Sequence, residues 1–255
     1  PLWVSRVRAA STMVTWDWRV RAANSMLSSH QVAWAHAWDR FAFNLEQPDH
    51  ALTVLRLHLF HVLVTVSAGH IDDVDAGVPA RGLHGEAYRG HVFWDELFIY
   101  PVLNLRMPEL TRALLRYRYR RLPAARRAAA EAGYPGAMYP WQSGSDGREE
   151  TQLVHLNPRS GRWLPDDTRR QRHVGLAIAY SVWQYYQASG DMGFLERYGA
   201  EMIVEIARFF AHLATYDRGL DRYVIRGVVG PDEFHTAYPG AETGGIDNNA
   251  YTNLM

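Results

Sequence analysis

The chain has 255 residues, with 27 basic and 27 acidic side chains, so its formal net charge is zero. Every basic residue is Arg and there is neither Lys nor Cys, which excludes Schiff-base lysines, a P-loop lysine, thiolate nucleophiles, Cys-ligated zinc, iron–sulfur clusters and structural disulfides within it. Balanced charge argues against a general nucleic-acid binder, and the 9 Trp, 14 Tyr, 9 Phe and 12 His suit either a cleft for a carbohydrate or small molecule or ordinary core packing.

Helical signals dominate along the chain. His30–Phe41 predicts a helix with Trp34, Trp38 and Phe41 on one face. Pro48 and Asp49 open the next, which carries Leu52, Leu55, Leu59, Val62 and Leu63; its apolar window, Ala51–Val66, also holds Arg56, His58 and His61 and is too short and polar for a membrane span. Pro108 opens a helix bearing Leu110, Ala113, Leu114 and Tyr117, and Pro123 starts an Ala-rich one that Gly133 ends. Val174, Ala177, Ile178, Ser181 and Val182 mark another. Phe194–Leu213 forms the last, with Tyr198, Ile203, Ile206, Phe210 and Leu213 expected to face inward. Tyr223-Val224-Ile225 is a short strand candidate, with Gly219 in the turn before it.

Three long aromatic loops, 72–93, 133–172 and 227–249, separate these helices. Loops of that length tend to be functional, and paired helices that each hand over to one fit an all-α architecture, an α/α barrel whose loops pool at one end. Pro1 is not an initiator Met, and Met255 falls inside what reads as the opening of another element. We therefore read the chain as a piece of a longer protein, with a cytoplasmic location as the expectation.

The loops hold the chemistry. In the first, Trp94 offers a flat face to a pyranose and Asp95 two acceptors for a pair of hydroxyls; equally, Trp94 is a core ring and Asp95 the N-cap of the helix beginning at Leu97. In the second, Trp141 and Gln142 repeat the pairing of aromatic plate and polar group, beside a Gly144–Gly147 stretch that also fits a plain surface turn. In the third, Glu233 stands between Asp232 and Phe234, neighbours that would raise its pKa as a general acid requires. The alternatives are a plain surface acidic turn and a cation site of Asp232, Glu233, His235 and Asp247, whose spacing matches neither the zinc-helix nor the calcium-loop pattern. The Arg116–Arg121 run reads as a solvated helix edge, His58, His61 and His212 as satisfied core or interface groups, and Asp72-Asp73-Val-Asp75 as an acidic turn.

Taken together, Tyr88-Arg-Gly-His-Val-Phe-Trp-Asp95, Tyr117-Arg-Tyr119 with Leu122–Arg126, Gly136-Ala-Met-Tyr-Pro-Trp141, Gly230-Pro-Asp-Glu-Phe-His235 and Asp247-Asn-Asn-Ala-Tyr-Thr-Asn253 resemble family 65 of the glycoside hydrolases, the inverting α-glucoside phosphorylases and related hydrolases. The resemblance implies that residues 1–255 are part of a single (α/α)6 barrel catalytic domain, with an N-terminal β-sandwich and the rest of the barrel outside the chain. It implies Glu233 as general acid. Trp94 and Asp95 match the pair that holds the non-reducing glucose, and Trp141 with Gln142 the loop near the acceptor sugar; Tyr88, Arg89, His91, Asp232 and His235 lie in the same motifs and join the expected substrate-binding set. The implied partners are a disaccharide of trehalose, kojibiose or maltose type and inorganic phosphate as co-substrate, with no metal, organic cofactor, nucleic acid or membrane, and with a homodimer allowed. Water as nucleophile, or a sugar-binding piece without catalysis, are the competing readings. The sequence departs from the family at Gln142, where many members have Glu, at Gly175, where phosphorylases often carry a hydroxyl, and at the inserted Thr236–Ile246.

Overall fold

The computed structural model describes residues 2–43, 50–66, 75–82, 88–231 and 236–255, with side-chain environments from residue 21 onward. Two compact units divide the chain, Pro1–Leu59 and Phe60–Met255. In the first, helix α1 (Leu2–Arg40) contains the predicted helix and extends it back to Leu2. The apolar members of the added stretch do not fall on one face, so periodicity could not reveal it. Trp34 lies 6.3 Å from His30 and 6.3 Å from Trp38, ring to ring, as a spacing of four residues dictates. Phe41 is buried just past the helix end.

Helix α2 (His50–Val66) follows; Pro48 and Asp49 lie outside the described residues. Leu52, Leu59, Leu63 and Val66 are buried, Val62 is half-buried, and Leu55 and His58 are exposed. His58 is thus no core group, and neither is His212, which is exposed and bonded only to its own helix at the Arg208 carbonyl; an apolar helix sequence places a His on the wet face as readily as on the dry one. Among the described residues no helix is long and apolar enough to cross a membrane.

The second unit holds α3 (Glu96–Arg106), α4 (Pro108–Arg120), α5 (Leu122–Glu131), α6 (His173–Ser189), α7 (Met192–Phe194), α8 (Ala200–Leu213) and α9 (Ala250–Leu254). Helix α6 is central: it packs against α3, α4 and α8 and touches α9. Its buried stripe of Val174, Ala177, Ile178, Ser181 and Val182 is the predicted one. Two antiparallel hairpins complete the unit. Strands β1 (Val154–Leu156) and β2 (Trp163–Pro165) pair within a loop that periodicity left structureless, while β3 (Thr215–Asp217) pairs with β4 (Arg222–Val224), the expected strand.

Two packing expectations are overturned. On α8 the buried residues are Met202, Glu205, Ile206 and Phe209, whereas Tyr198, Ile203, Phe210 and Leu213 are only half-buried. A π-turn at Leu195–Gly199 precedes this helix. Its extra residue rotates the register away from a uniform helical count begun at Phe194. The Arg116–Arg121 run is likewise not a solvated edge. Arg118 is 0% exposed, one turn beyond Leu114 on the core face. Its Nε donates to Glu96 Oε1 at 2.6 Å and its Nη2 to the Phe93 carbonyl. The Tyr100 hydroxyl donates to the other Glu96 oxygen at 3.1 Å. Arg121 lies 4.0 Å over the Tyr117 ring and pairs with Asp75.

Candidate active site

The first two predicted loops are sewn together by backbone. The Val92 amide donates to the Ser143 carbonyl at 3.2 Å, and the Ser143 amide returns to Val92 at 2.9 Å. This bridge sets Phe93-Trp94-Asp95 beside Trp141-Gln142. The second loop is shaped by Glu149, whose carboxylate accepts the amides of Trp141 (2.8 Å) and Gln142 (3.1 Å) and the Thr151 hydroxyl (2.6 Å). Gln142 Nε2 donates across to His91 Nδ1 at 2.6 Å. Trp141 and Gln142 are buried, so the plain surface-turn reading fails for them; in the turn closed by the Gly147 amide on the Gly144 carbonyl at 3.1 Å, only Ser145 and Asp146 are exposed.

A wall of rings results. Trp94 meets the His173 ring at 4.8 Å, Tyr251 at 5.6 Å and Trp141 at 6.2 Å, while Trp141 meets His173 at 5.2 Å. His173 is 0% exposed and sits at the first turn of α6; Tyr251 comes from α9. Neither ring nitrogen of His173 has a partner of hydrogen-bonding geometry among the described residues. Burial pushes its pKa down to about 4, against a smaller upward pull from the Val229 backbone, so the ring is neutral.

Asp95 occupies the N-cap of α3 as the bland reading required, yet its side chain makes no capping bond. The carboxylate is half-buried, and desolvation raises its pKa, opposed by its own backbone amide and by Arg81. It therefore remains open to an external donor. Tyr88 and Arg89 both adopt left-handed backbone, φ 57 and φ 54, a conformation that strains non-glycine residues. Tyr88 touches the wall only through Phe93 (5.0 Å), and exposed Arg89 donates to the Glu150 carbonyl at 3.3 Å. The structure thus groups Trp94, Asp95, Trp141, Gln142 and His91, and leaves Tyr88 and Arg89 at the margin.

Asp232, Glu233 and His235 lie outside the described residues, as do Asp72 and Asp73. The chain leading to them is fixed: the Val229 amide donates to the Arg170 carbonyl at 3.1 Å, Val228 and Ile246 exchange amide bonds, and Val228 and Val229 are buried. Gly230 passes so close to Asn249 that a Cβ would lie 3.1 Å from the Asn249 Cγ and nearer still to its Nδ2. Asp247, the remaining member of the alternative cation set, accepts the Gly227 amide at 3.2 Å and pairs with Arg226 at 3.3 Å. Among the described residues no group of three His, Asp or Glu is disposed around a metal position. The inserted segment folds on itself, the Gly245 amide donating to the Thr236 carbonyl at 2.6 Å and the Tyr238 hydroxyl accepting the Asp247 amide at 3.0 Å. A Cβ on Gly175 would contact Phe210 at 3.4 Å and Ile206 at 3.6 Å on α8, so a side chain there would start toward an apolar helix face.

The model of the glycosyl hydrolase family 65 central catalytic domain matches residues 56–255. The chain belongs to glycosyl hydrolase family 65. An uncharacterized glycosyl hydrolase from Mycobacterium tuberculosis is 62% identical over 230 residues, covering 90% of this chain and 17% of that protein. The trehalose 6-phosphate phosphorylase of Lactococcus lactis is 46% identical over 224 residues, covering 87% of this chain and 29% of its own length. A solved structure described as a putative kojibiose phosphorylase from human microbiome shares 27% identity at a TM-score of 0.64, over 78% of this chain and 24% of that one. The chain thus spans less than a third of the family 65 relatives it matches. The fold is all-α, a part of the (α/α)6 barrel of family 65.

The structure brings the predicted Trp94 and Trp141 together with their polar companions and adds His173, Tyr251 and Glu149, which the sequence did not single out. Tyr251 lay inside a motif already noticed. His173 announces itself only as a polar residue directly ahead of the buried stripe of α6.

Proposed function

We propose that the full protein cleaves the α-glucosidic bond of a glucose disaccharide of trehalose, kojibiose or maltose type, with inversion and with inorganic phosphate as nucleophile. In this reading Trp94 and Asp95 hold the non-reducing glucose, and Trp141 and Gln142 border the acceptor sugar. Glu233 gives its proton to the departing glycosidic oxygen while a phosphate oxygen bonds to C1 from the opposite face, and β-glucose 1-phosphate leaves. The observation that supports the reading best is the wall of Trp94, Trp141, His173 and Tyr251 with the uncapped Asp95 carboxylate at its edge, an apolar plate with a convergent polar group of the kind that holds a sugar.

The test uses the full-length protein with trehalose, kojibiose and maltose, each with and without phosphate. Phosphate-dependent release of β-glucose 1-phosphate is expected. Glu233→Gln, which removes the proton and little volume, should lower turnover on the order of 100-fold or more with the fold intact. Cleavage that runs equally well without phosphate would replace the phosphorylase with an inverting hydrolase that uses water, a second reading favoured by the glycosyl hydrolase name of the 62% identical relative. Sugar binding without cleavage would reduce the site to a sugar-binding module.

A further inference from the structure

Tyr88, Arg89 and Gly90 are three consecutive residues in left-handed backbone, φ 57, 54 and 70, in a turn closed by the His91 amide on the Tyr88 carbonyl at 3.0 Å. That backbone strains Tyr88 and Arg89, and such strain persists only where the surroundings hold it. The Tyr88 ring is what the surroundings hold. It meets Phe93 edge-on at 5.0 Å, and Phe93 meets Trp141 at 5.4 Å, which ties the turn to the ring wall. The Arg81 guanidinium lies 5.9 Å from the centroid of the same Tyr88 ring, within reach of a cation–π contact.

Arg81 is set by the backbone of this ribbon. Pro79 and Val92 form an antiparallel bridge, the Ala80 amide donates to the His91 carbonyl at 3.4 Å, and Val92 bridges onward to Ser143. That register puts Arg81 opposite Gly90, beside the stretch that runs through Phe93 and Trp94 to Asp95. Arg81 is exposed, and its guanidinium makes no hydrogen bond or ion pair among the described residues. Asp95 is its complement, a half-buried carboxylate at the N-cap of α3 without a capping bond. Desolvation raises the Asp95 pKa, while its own backbone amide and the Arg81 charge draw it down. The adjacent acid, Glu96, is already engaged by Arg118 and Tyr100.

We infer that Arg81, carried on the ring of Tyr88, is the counter-charge of Asp95 and thereby a positioning residue for the sugar seat. The inference rests on the reading of Asp95 as a residue that holds the non-reducing glucose, and deepens it. An anion accepts sugar hydroxyls more strongly than a neutral carboxyl does. A half-buried carboxylate without a capping donor needs a nearby positive charge to remain one on the acid side. The strain at Tyr88 and Arg89 then has a use, since it fixes the ring that carries the guanidinium. Solvent screens an exposed Arg, so the effect is modest.

The experiment measures glucose binding to the full-length protein by calorimetry from about pH 4.5 to about pH 8, without phosphate, which titrates in that range. Affinity is expected to weaken on the acid side as Asp95 takes up a proton. Arg81→Gln removes the charge that draws the Asp95 pKa down, so the weakening should begin about half a pH unit higher: affinity falls about threefold on the acid side and less than about 1.5-fold above it. Arg81→Lys should stay close to the unaltered protein. Tyr88→Leu, which keeps an apolar side chain beside Phe93 but no ring face, should give part of the Gln shift. Glu96, tied to Arg118, and His173 and Tyr251, which meet Trp94 from α6 and α9, are common to all variants and cancel from the differences. In an Asp95→Asn background the Arg81→Gln shift should vanish. A shift that survives there overturns the inference. So does an acid side that Arg81→Gln leaves in place, or a loss of equal size at every pH, which a merely structural Arg81 would give. Should the Gln variant not fold, Tyr88→Leu decides: a profile identical to that of the unaltered protein overturns the inference. If the unaltered protein binds no glucose at any pH, the sugar-seat reading fails and the inference with it, a result distinct from binding whose acid side ignores Arg81.

Discussion

Without the Arg118 guanidinium, the buried Glu96 carboxylate would keep only the Tyr100 hydroxyl as a donor. Breaking one side of a buried ion pair costs about 3–5 kcal/mol because the remaining charge is stranded. Arg118→Met should therefore lower the unfolding free energy by about that amount in a denaturant titration. Glu96→Gln should cost less, since its carbonyl oxygen still accepts. Arg118 also holds the Phe93 carbonyl directly ahead of Trp94, so the Met variant should lose sugar affinity even where it remains folded. His173 supplies a pH signature. Its folded pKa of about 4 lies below the ordinary 6.5, so the unfolded chain takes up the proton first as pH falls. Its contribution is whole above pH 6.5 and is lost progressively toward pH 4, roughly 3 kcal/mol in all. His173→Phe should flatten that part of the stability profile; an unchanged slope would move the titration to another group. Trp94, Asp95, Trp141 and Gln142 stood out in the sequence because an aromatic ring beside a polar group is a pattern local to a loop. Arg118 and His173 did not, because their burial depends on Glu96, Trp94 and Tyr251, which are distant in sequence.

Helices α4, α5 and α6 were readable because Pro108, Pro123 and Gly133 punctuate them and their apolar residues keep one phase. The face of α8 was misread because a π-turn carries no residue signature that separates it from continuing helix. The loop that bears Trp141 starts at Gly136, whose φ is +88 and whose missing Cβ would lie 2.5 Å from the Phe209 amide nitrogen and closer still to the Glu205 carbonyl. The Ala137 amide then donates to that carbonyl at 2.9 Å. Gly136→Ala should destabilise by more than about 2 kcal/mol, through both backbone strain and collision with α8. Gly175→Ala is the contrast. That residue is inside a helix and an added Cβ meets only ordinary contacts, so stability should stay level or rise by up to about 1 kcal/mol. Thermal melts of the two variants should diverge in sign; a matching loss at Gly175 would mean that α6 and α8 pack more tightly there than those contacts allow.

With 27 positive and 27 negative side chains, the whole chain has no net charge to oppose self-association. Part of its apolar surface is also uncovered. Phe98 and Leu105, seven residues apart on one face of α3, are 64% and 78% exposed, and Tyr180 and Trp183 on α6 are exposed as well. Contiguous apolar helix faces of this kind are rarely left to water in monomeric proteins. In the relatives, which this chain covers to 17% and 29%, much of the protein lies outside the matched stretch. Residues 1–255 produced alone should therefore associate in a concentration-dependent way in analytical ultracentrifugation. Leu105→Ser should reduce that association, since the side chain faces water and its replacement leaves no buried cavity, whereas the Phe98 ring also meets Trp94 at 5.3 Å. If residues 1–255 sediment as a monomer at all concentrations, the α3 face is tolerated by water and this prediction fails.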